Sequence, residues 1–245
     1  MSKYFIGSFT IVLLLTSCKK QIDNYSPEPL IDYYPLQVGK YITYNLDSTL
    51  FINFGQKDTV IHYQVQDRVD SPITDNTGRN GFRILRFIRH DTSEAWAPNN
   101  TFMVTPTENS IEYVENNLRF IKLKSPLRMD YTWKGNSFID TYSNISNVRY
   151  LDDWDYIYDS IGLPLNINSI NIDSTIKVFE RDEFTGEDPS LSTTQYAEEN
   201  YSVEKYGKGI GLIYREFLHW EYQGPQSPTH GYSGYGIKMS IIDHN

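Results

Sequence analysis

The sequence predicts a mainly β protein, built as a single large curved antiparallel sheet, half-barrel or barrel with few or no helices. Its apolar residues alternate with a period of two over most of the chain, which is typical of strands with one buried face. Turn residues recur at short intervals, and 20 tyrosines among 245 residues favour strands over helices. Because a long antiparallel sheet exposes hydrogen-bonding edges, we expect this sheet to curl or close.

The alternation is clearest in the first predicted strand, where Ile42, Tyr44 and Leu46 share one face. Further strands are predicted at 61–66, 82–90, 101–105, 111–114, 118–123, 148–158, 174–179, 212–222 and 237–241. The apolar phase changes sides within 82–90 and within 118–123, which indicates a β-bulge or a strand covered on both faces. The short turns between strands favour an antiparallel meander over βαβ units.

Two segments depart from this pattern. Residues 161–173 contain Pro164 and three asparagines, and we predict a long loop there. Residues 194–206 fit a helix with Gly207 as its C-cap, but Tyr201 and Val203 also fit the alternation of a strand. Both alternatives stay open for the second segment.

Composition excludes several classes of protein. With 39% hydrophobic and 22% charged residues, the chain is unlike a disordered, collagen-like, coiled-coil or polytopic membrane protein. Its formal net charge of −9 argues against a nucleic-acid partner, because phosphates require a basic surface. We therefore expect one globular β domain that binds no nucleic acid.

The first 17 residues are predicted to be a signal peptide. Lys3 supplies a positive start, and the apolar stretch from Tyr4 to Leu15 is about a dozen residues long. A membrane-spanning helix needs roughly 20 residues, so this stretch is too short to be one. We exclude residues 1–17 from the folded domain.

The segment Leu15-Thr16-Ser17-Cys18 resembles the lipobox of bacterial lipoproteins. The resemblance implies that Cys18 becomes the mature N-terminus and is acylated on its sulfur and its amino group, which would anchor the protein in a membrane. Cys18 is the only cysteine in the chain, so no disulfide can form within it. The alternative is an ordinary secretory signal that happens to end near a cysteine.

Residues 18–33 are predicted to be a lipidated cysteine and flexible tether, and residues 34–245 a single antiparallel β domain. In lipoproteins of the Bacteroidota, export to the cell surface is associated with acidic residues just after the cysteine. Lys19 and Lys20 occupy those positions here. The sequence therefore favours an outer-membrane lipoprotein of the cell envelope on the periplasmic side rather than the surface side.

A second resemblance covers most of the mature chain. Its motifs are Pro-Leu-x-Val-Gly at 35–39, Trp-x-Gly-Asn at 133–136 and Tyr-x-x-Gly-Ile-Gly-Leu-Ile at 206–213. They resemble a group of uncharacterised Bacteroidota lipoproteins. The resemblance implies a β architecture and an envelope location, and it implies no activity.

Motifs for catalysis are incomplete in this sequence. Gly207, Gly209 and Gly211 lack the spacing of a phosphate-binding loop, and 231–235 lacks the final glycine of the nucleophile elbow G-x-S-x-G. The five histidines show no paired metal spacing. Acidic groups at 152–159 and 182–188 fit solvated loops better than calcium sites. We predict no enzyme, no catalytic residue, no cofactor and no metal site.

An aromatic set on the predicted strands is the candidate ligand patch. Its members are Trp133, Trp154, Tyr156, Tyr158, Trp220 and Tyr222. If exposed, such rings can stack on sugars or grip another protein, because they offer a large contact area at low entropic cost. If buried, they are core residues.

Three functions remain open from the sequence. The first is a non-enzymatic binding or structural module with a protein or glycan ligand, which predicts an exposed aromatic patch or groove. One alternative is a lipid or lipoprotein carrier, which predicts an unfilled apolar concavity. The other alternative is a carbohydrate-active hydrolase, which predicts two carboxylates converging in a pocket.

Overall fold

The computed structural model of the chain describes residues 28–245. The predicted signal peptide, the lipid attachment at Cys18 and the tether as far as residue 27 lie outside the described residues. The described part contains a single antiparallel sheet of twelve strands that is nearly closed into a barrel. This confirms the predicted fold class.

The strands follow one another along the chain. They are β1 Tyr41–Ile52, β2 Lys57–Thr74, β3 Asn80–Arg89, β4 Ala97–Pro106, β5 Ser110–Glu115, β6 Leu118–Lys124, β7 Thr132–Lys134, β8 Asp155–Ile167, β9 Ile170–Gly186, β10 Tyr196–Gly207, β11 Gly211–Gln223 and β12 Gly231–His244. The longest connection, residues 135–154, joins β7 to β8. Two short 3-10 helices, Leu30–Tyr33 and Arg149–Leu151, complete the elements. The order in the sheet is β6-β5-β4-β3-β2-β1-β12-β11-β10-β9-β8-β7, so two six-stranded meanders meet where β1 pairs with β12.

The predicted phase changes correspond to irregular pairing. In β6, Leu123 pairs with Ile111 and Ile121 pairs with Glu112, which leaves Lys122 as an extra residue in a bulge. The pairing of β3 with β4 also shifts, between Arg86 and Phe87. A bulge places consecutive side chains on the same side of the sheet, which explains the broken alternation in 118–123.

The predicted loop at 161–173 is wrong. Strand β8 continues to Ile167, and Asn168 and Ser169 form a tight turn with φ of 49° and 68° before β9 begins. Three register shifts between β8 and β9 accommodate Gly162 and Pro164 within the paired strands. These irregularities removed the period-two pattern from the sequence without ending the strand.

The structure also decides between helix and strand for the segment 194–206. It lies in β10 rather than in a helix, because Ser202, Glu204 and Tyr206 alternate inward and are all buried. The strand predicted at 148–158 begins only at Asp155, since Arg149–Leu151 forms a 3-10 helix.

The two edge strands, β6 and β7, are joined by hydrogen bonds that nearly close the barrel. The Ile121 N–H donates to the Gly135 carbonyl at 2.8 Å, and Trp133 Nε1 donates to the Ile121 carbonyl at 2.7 Å. The Tyr158 hydroxyl donates to the Lys124 carbonyl at 2.7 Å and accepts the Lys124 N–H at 2.8 Å. Side chains therefore supply much of the pairing that the three-residue β7 is too short to provide.

Each end of the barrel is covered by one of the short helices. At the end that we call proximal, Leu30 and Tyr33 are buried, and the Gly209 N–H donates to the Asp32 carbonyl at 2.6 Å. Residues 28–33, assigned to the tether from the sequence, thus pack against the barrel. At the opposite, distal end, the Tyr150 ring stacks on His219 at 3.7 Å between ring centroids.

Trp133→Phe tests the barrel closure. The change keeps an aromatic ring but removes the Nε1 donor, so the buried Ile121 carbonyl loses a partner and we expect the free energy of unfolding to fall by about 1 to 3 kcal/mol. Urea unfolding measures this loss, and amide hydrogen exchange should accelerate at Ile121. Trp96→Phe is the control, because the Trp96 indole packs under Arg89 and donates no hydrogen bond within residues 28–245. Equal effects of the two changes would contradict the closure role.

Candidate functional site

The barrel interior contains a cluster of buried ion pairs that we call the ionic core. Lys122 Nζ lies 3.0 Å from Glu180 Oε1 and 2.8 Å from Glu204 Oε1. Arg215 Nη1 contacts Glu115 Oε2 at 2.9 Å. A second bulge, where Ser202 pairs with Arg181 and Val203 with Phe179, leaves Glu180 as the extra residue of β9. The bulges at 122 and 180 thus face each other across the interior.

A bidentate pair completes the ionic core. Arg86 donates from Nε and Nη2 to the two carboxylate oxygens of Asp67, both at 2.6 Å. The core therefore holds four acids and three bases. The acids are Asp67, Glu115, Glu180 and Glu204, and the bases are Arg86, Lys122 and Arg215. A proton on one acid balances their charge.

The two central carboxyl groups respond differently to burial. Burial raises the pKa of Glu180, the charge of Glu204 adds to this effect, and Lys122 opposes it. Burial also acts to raise the pKa of Glu204, but the charges of Lys122 and Arg215 outweigh it and lower that pKa. Within the ionic core, Glu180 is therefore the carboxyl group whose pKa is raised, and Glu204 is the one whose pKa is lowered.

The carboxylates of the ionic core do not form a free acid and base. Glu180 Oε2 accepts from the Ser202 hydroxyl at 2.6 Å, and Glu204 Oε2 accepts from the Tyr206 hydroxyl. Their other oxygens contact Lys122. The two carboxylates that a hydrolase requires do converge, at positions the sequence had not indicated, but the protein's own donors occupy all four oxygens.

The interior cavity beside the ionic core is small, and charged side chains form part of its wall. Its volume is about 190 Å³, and its walls include Arg86, Lys122, Arg215, Trp154 and Tyr156. Ligand pockets are typically about 300 to 1,000 Å³ and mostly apolar. An acyl chain placed here would contact charged groups without offering them hydrogen bonds. Within residues 28–245, this cavity is not the apolar concavity that a carrier requires.

The predicted aromatic patch does not form one exposed row. Five of its six side chains are buried. These are Trp133, Trp154, Tyr156, Tyr158 and Tyr222. Trp133 and Tyr158 serve the barrel closure, and Trp154 and Tyr156 line the interior cavity. Strand alternation could not show which face of each strand was inward, and these five side chains take the core alternative.

Trp220 is half-buried and belongs to a different aromatic row, on the outer face of the barrel. Tyr232 stacks on Phe51 with ring centroids 5.5 Å apart, and its edge meets Trp220 at 5.2 Å. Trp220 continues the row to Phe184 at 6.1 Å, and Tyr222 packs beneath Tyr232 at 5.0 Å. The row crosses β1, β12, β11 and β9, so tertiary structure assembles it from distant parts of the sequence.

A groove of about 440 Å³ runs along this row near the distal end, and we call it the aromatic groove. Its lining residues are Thr49, Phe51, Gln56, Lys57, Asp58, Leu218, Trp220 and Tyr232. The volume falls within the range of about 300 to 1,000 Å³ for ligand sites. Aromatic walls with a few polar groups at the edge are also typical of such sites.

Glycines let the backbone of β12 pack closely against Trp220 and Leu218. Gly234 pairs with Trp220 and Gly236 pairs with Leu218 and Thr49, so β12 presents no side chain between these residues. Gly234 has φ of 128°, and a Cβ there would lie 2.1 Å from the His219 carbonyl oxygen, so only glycine fits. The incomplete elbow motif at 231–235 therefore lies in strand β12 and borders the groove.

Hydrogen bonds hold the groove in place. Trp220 Nε1 donates to Glu199 Oε2 at 2.9 Å, which orients the indole. Gln56 Nε2 donates to the His230 carbonyl at 3.0 Å, and the Tyr232 N–H donates to the Gly55 carbonyl at 2.9 Å. The β1–β2 turn is thereby fixed against the start of β12, and the rings are positioned before any ligand arrives.

Other candidate sites from the sequence are explained by internal contacts. Lys134 Nζ lies 2.6 Å from Asp153 and 2.9 Å from Asp155, so an ammonium group already sits between these carboxylates. His219 Nδ1 donates a hydrogen bond to Asn200 Oδ1 at 2.8 Å, and burial lowers the pKa of His219. In the described part of the chain, no group of three His, Cys, Asp or Glu side chains is placed to hold a metal ion.

Comparisons with known proteins return solved structures only. No family model matches the chain, and no curated protein matches its sequence. A "putative exported protein with YmcC-like fold" from Bacteroides fragilis is 10% identical, with a TM-score of 0.41, covering 85% of this chain and 98% of that one. A "putative lipoprotein" from Parabacteroides distasonis is 11% identical, with a TM-score of 0.33, covering 87% and 98%.

A third structure is a "putative outer membrane lipoprotein-sorting protein domain" from Vibrio parahaemolyticus, 9% identical with a TM-score of 0.19, covering 84% of this chain and 85% of that one. We transfer no property from these structures to this chain. Among residues 28–245, no helix has the length and apolar character that a membrane span requires.

The Glu180→Gln substitution tests whether the pKa of Glu180 is raised in the folded protein. Because the pKa of Glu180 is raised from 4.5 in the folded protein, the unfolded chain releases this proton first as the pH rises. The wild type should therefore lose stability relative to the glutamine variant with rising pH, by at most about 1.4 kcal/mol per pH unit. The loss ends once Glu180 ionises in the folded state.

Urea unfolding between about pH 5 and pH 8 measures this difference. Ser202→Ala is the matched control, because it removes a hydrogen bond to Glu180 but keeps the titrating group. A difference between wild type and Glu180→Gln that does not change with pH would show that Glu180 is ionised in the folded protein.

Proposed function

We propose that this protein is a non-enzymatic binding module of the cell envelope, anchored in the outer membrane through acyl chains on Cys18, with the aromatic groove as its working surface. The observation that carries the proposal is the row of rings from Phe51 through Tyr232 and Trp220 to Phe184, beside a groove of about 440 Å³. This is the exposed aromatic groove that a binding module requires, on the outer face of the barrel.

The interior supports a binding role over the two alternatives. A hydrolase needs carboxylate oxygens that are free to contact substrate, and those of Glu180 and Glu204 are held by Lys122, Ser202 and Tyr206. A lipid carrier needs a large apolar space, and the interior cavity is only about 190 Å³ and has Arg86, Lys122 and Arg215 in its wall. Neither requirement applies to ligand binding on the outer face.

The position of the groove also suits an anchored binding module. The described chain begins at the proximal end, where the 3-10 helix Leu30–Tyr33 packs. The groove lies near the distal end, beside the β1–β2 turn and the start of β12. An anchor on Cys18 would therefore leave the groove facing away from the membrane. We place the protein on the periplasmic side, as Lys19 and Lys20 favour.

Cys18→Ser tests the anchor. Without the thiol no thioether to a diacylglyceryl group can form, so we expect the protein to move from the membrane fraction to the soluble fraction and to lose palmitate labelling. Ser17→Ala is the control, since it keeps a small residue before the cysteine. Unchanged fractionation of Cys18→Ser would contradict lipid anchoring.

Trp220→Ala and Tyr232→Ala test the working surface. Each removes a ring from the centre of the row, and we expect retention on isolated cell-envelope material to weaken by about tenfold or more. Tyr142→Ala is the matched control, because Tyr142 is 79% exposed and lies outside the groove. Co-sedimentation of the full-length protein with envelope material measures retention. If the groove variants and Tyr142→Ala are retained equally, the groove is not the working surface.

A further inference from the structure

We infer that the aromatic groove binds a neutral glycan chain, an inference that rests on the proposed function and names the ligand class for the same site. A pyranose ring has an apolar face of C–H groups and a rim of hydroxyls. A site for it needs aromatic faces beside hydrogen-bonding groups, with little net charge. The following observations match each of these requirements.

The aromatic part of the groove offers surfaces of the right kind. Phe51, Tyr232 and Trp220 lie in a row with successive centroid distances of 5.5 and 5.2 Å. Their planes alternate, because Phe51 and Tyr232 stack at 10° whereas Trp220 meets Tyr232 at 73°. The groove is therefore lined by rings in two orientations, and an extended chain of rigid sugar rings can contact more than one of them.

Gly234 and Gly236 bring the backbone of β12 into close contact with its neighbours, since a Cβ would lie 2.8 Å from Trp220 Cα at Gly234 and 3.0 Å from Leu218 Cδ1 at Gly236. With no side chains at these two positions, the strand offers a smooth path between Trp220 and Phe51. Flat protein interfaces bury about 800 Å² on each partner and depend on protruding anchors that fill pockets. A narrow cleft with a glycine path accommodates a single extended chain better than such an interface.

Polar groups at the rim have unused hydrogen-bonding capacity. Asp58 lies directly across from Phe51 in the β1–β2 pairing, and Lys57 lies beside it, across from Ile52. Within residues 28–245, neither side chain forms a hydrogen bond or an ion pair with another residue. Because successive side chains of a strand point to opposite faces, Asp58 shares the face of Phe51, and its carboxylate can accept from sugar hydroxyls. Lys57, the first residue of β2, also borders the groove.

The charged side chains at the groove and the net charge of the chain favour a neutral ligand. Lys57 and Asp58 cancel at the groove, and Glu199 stands behind Trp220. The whole chain carries a formal net charge of −9. A polyanionic glycan would be repelled at long range and would find one lysine in the groove to neutralise it. An uncharged glycan experiences neither penalty.

The groove is also rigid before binding. Glu199 holds the Trp220 indole at 2.9 Å, and Tyr222 supports Tyr232 from below at 5.0 Å. Fixed aromatic side chains lose little conformational entropy when a ligand binds. Weak contacts between C–H groups and ring faces can then add to a measurable affinity.

The experiment is a titration of the mature lipidated chain, held in a detergent without a sugar headgroup. The neutral probes are cellohexaose, xylohexaose, mannohexaose and chitohexaose, and hexagalacturonate is the anionic comparator. Calorimetry gives affinity, and tryptophan fluorescence reports on Trp220. We expect at least one neutral hexasaccharide to bind, with an affinity that changes by less than about twofold between low and high salt.

The variants locate the binding. Trp220→Ala should weaken it by about tenfold or more, whereas Trp220→Phe should keep the affinity within about threefold and abolish the fluorescence change. Tyr142→Ala should behave as wild type. Unchanged thermal unfolding of each variant shows that any loss of binding is not a loss of folding.

Three results would overturn the glycan inference. They are no binding of any neutral hexasaccharide, binding that Trp220→Ala and Tyr232→Ala leave unchanged, and binding of hexagalacturonate alone. If groove variants lose envelope retention while no glycan binds, the groove takes a protein partner, so the proposed function survives and the glycan inference fails. If neither envelope retention nor glycan binding depends on the groove, both fail.

Discussion

The ionic core is the interaction on which the rest of the structure depends. Lys122 comes from β6, at one edge of the sheet, and contacts Glu180 on β9 and Glu204 on β10 in the other meander. Arg215 on β11 likewise contacts Glu115 on β5. Because removing one partner of a buried pair leaves an uncompensated charge, these contacts constrain the distance between the two meanders. The hydrogen bonds around Ile121 then join the edges that this constraint brings together.

The ionic core also determines where a ligand can bind. Most small barrels that carry ligands leave an apolar space inside, whereas here charged groups and their partners occupy the centre. Ion pairs across the interior favour one defined arrangement of strands, and they leave little room for a guest. The binding site that we propose accordingly lies on the outer face, where side chains are free of the packing requirements of the core.

On the outer face, the groove depends on a local compromise in β12. Glycine weakens a strand because it contributes no side chain to packing, yet β12 has glycine at both positions opposite Trp220 and Leu218. The neighbouring rings of Tyr232 and Phe51 supply the packing that glycine lacks. This arrangement exchanges some strand stability for a cleft, and such an exchange is expected at a functional site.

The sequence by itself determined the fold class and most of the strands, because period-two alternation reports local burial and needs no knowledge of partners. It also indicated the bulge in β6 through a change of phase. It missed β8 between residues 161 and 167, because bulges disturb alternation without ending a strand.

Only the tertiary structure decided which aromatic residues are core and which face outward. Alternation showed that Trp154 and Tyr156 share one face of their strand, and that Trp220 and Tyr222 share one face of theirs. Which face points into the barrel depends on how the sheet closes. Phe51 and Trp220 are 169 positions apart and meet in the groove only because β12 pairs with both β1 and β11. Long-range pairing of this kind leaves no local pattern, so the candidate site could not be read from the sequence alone.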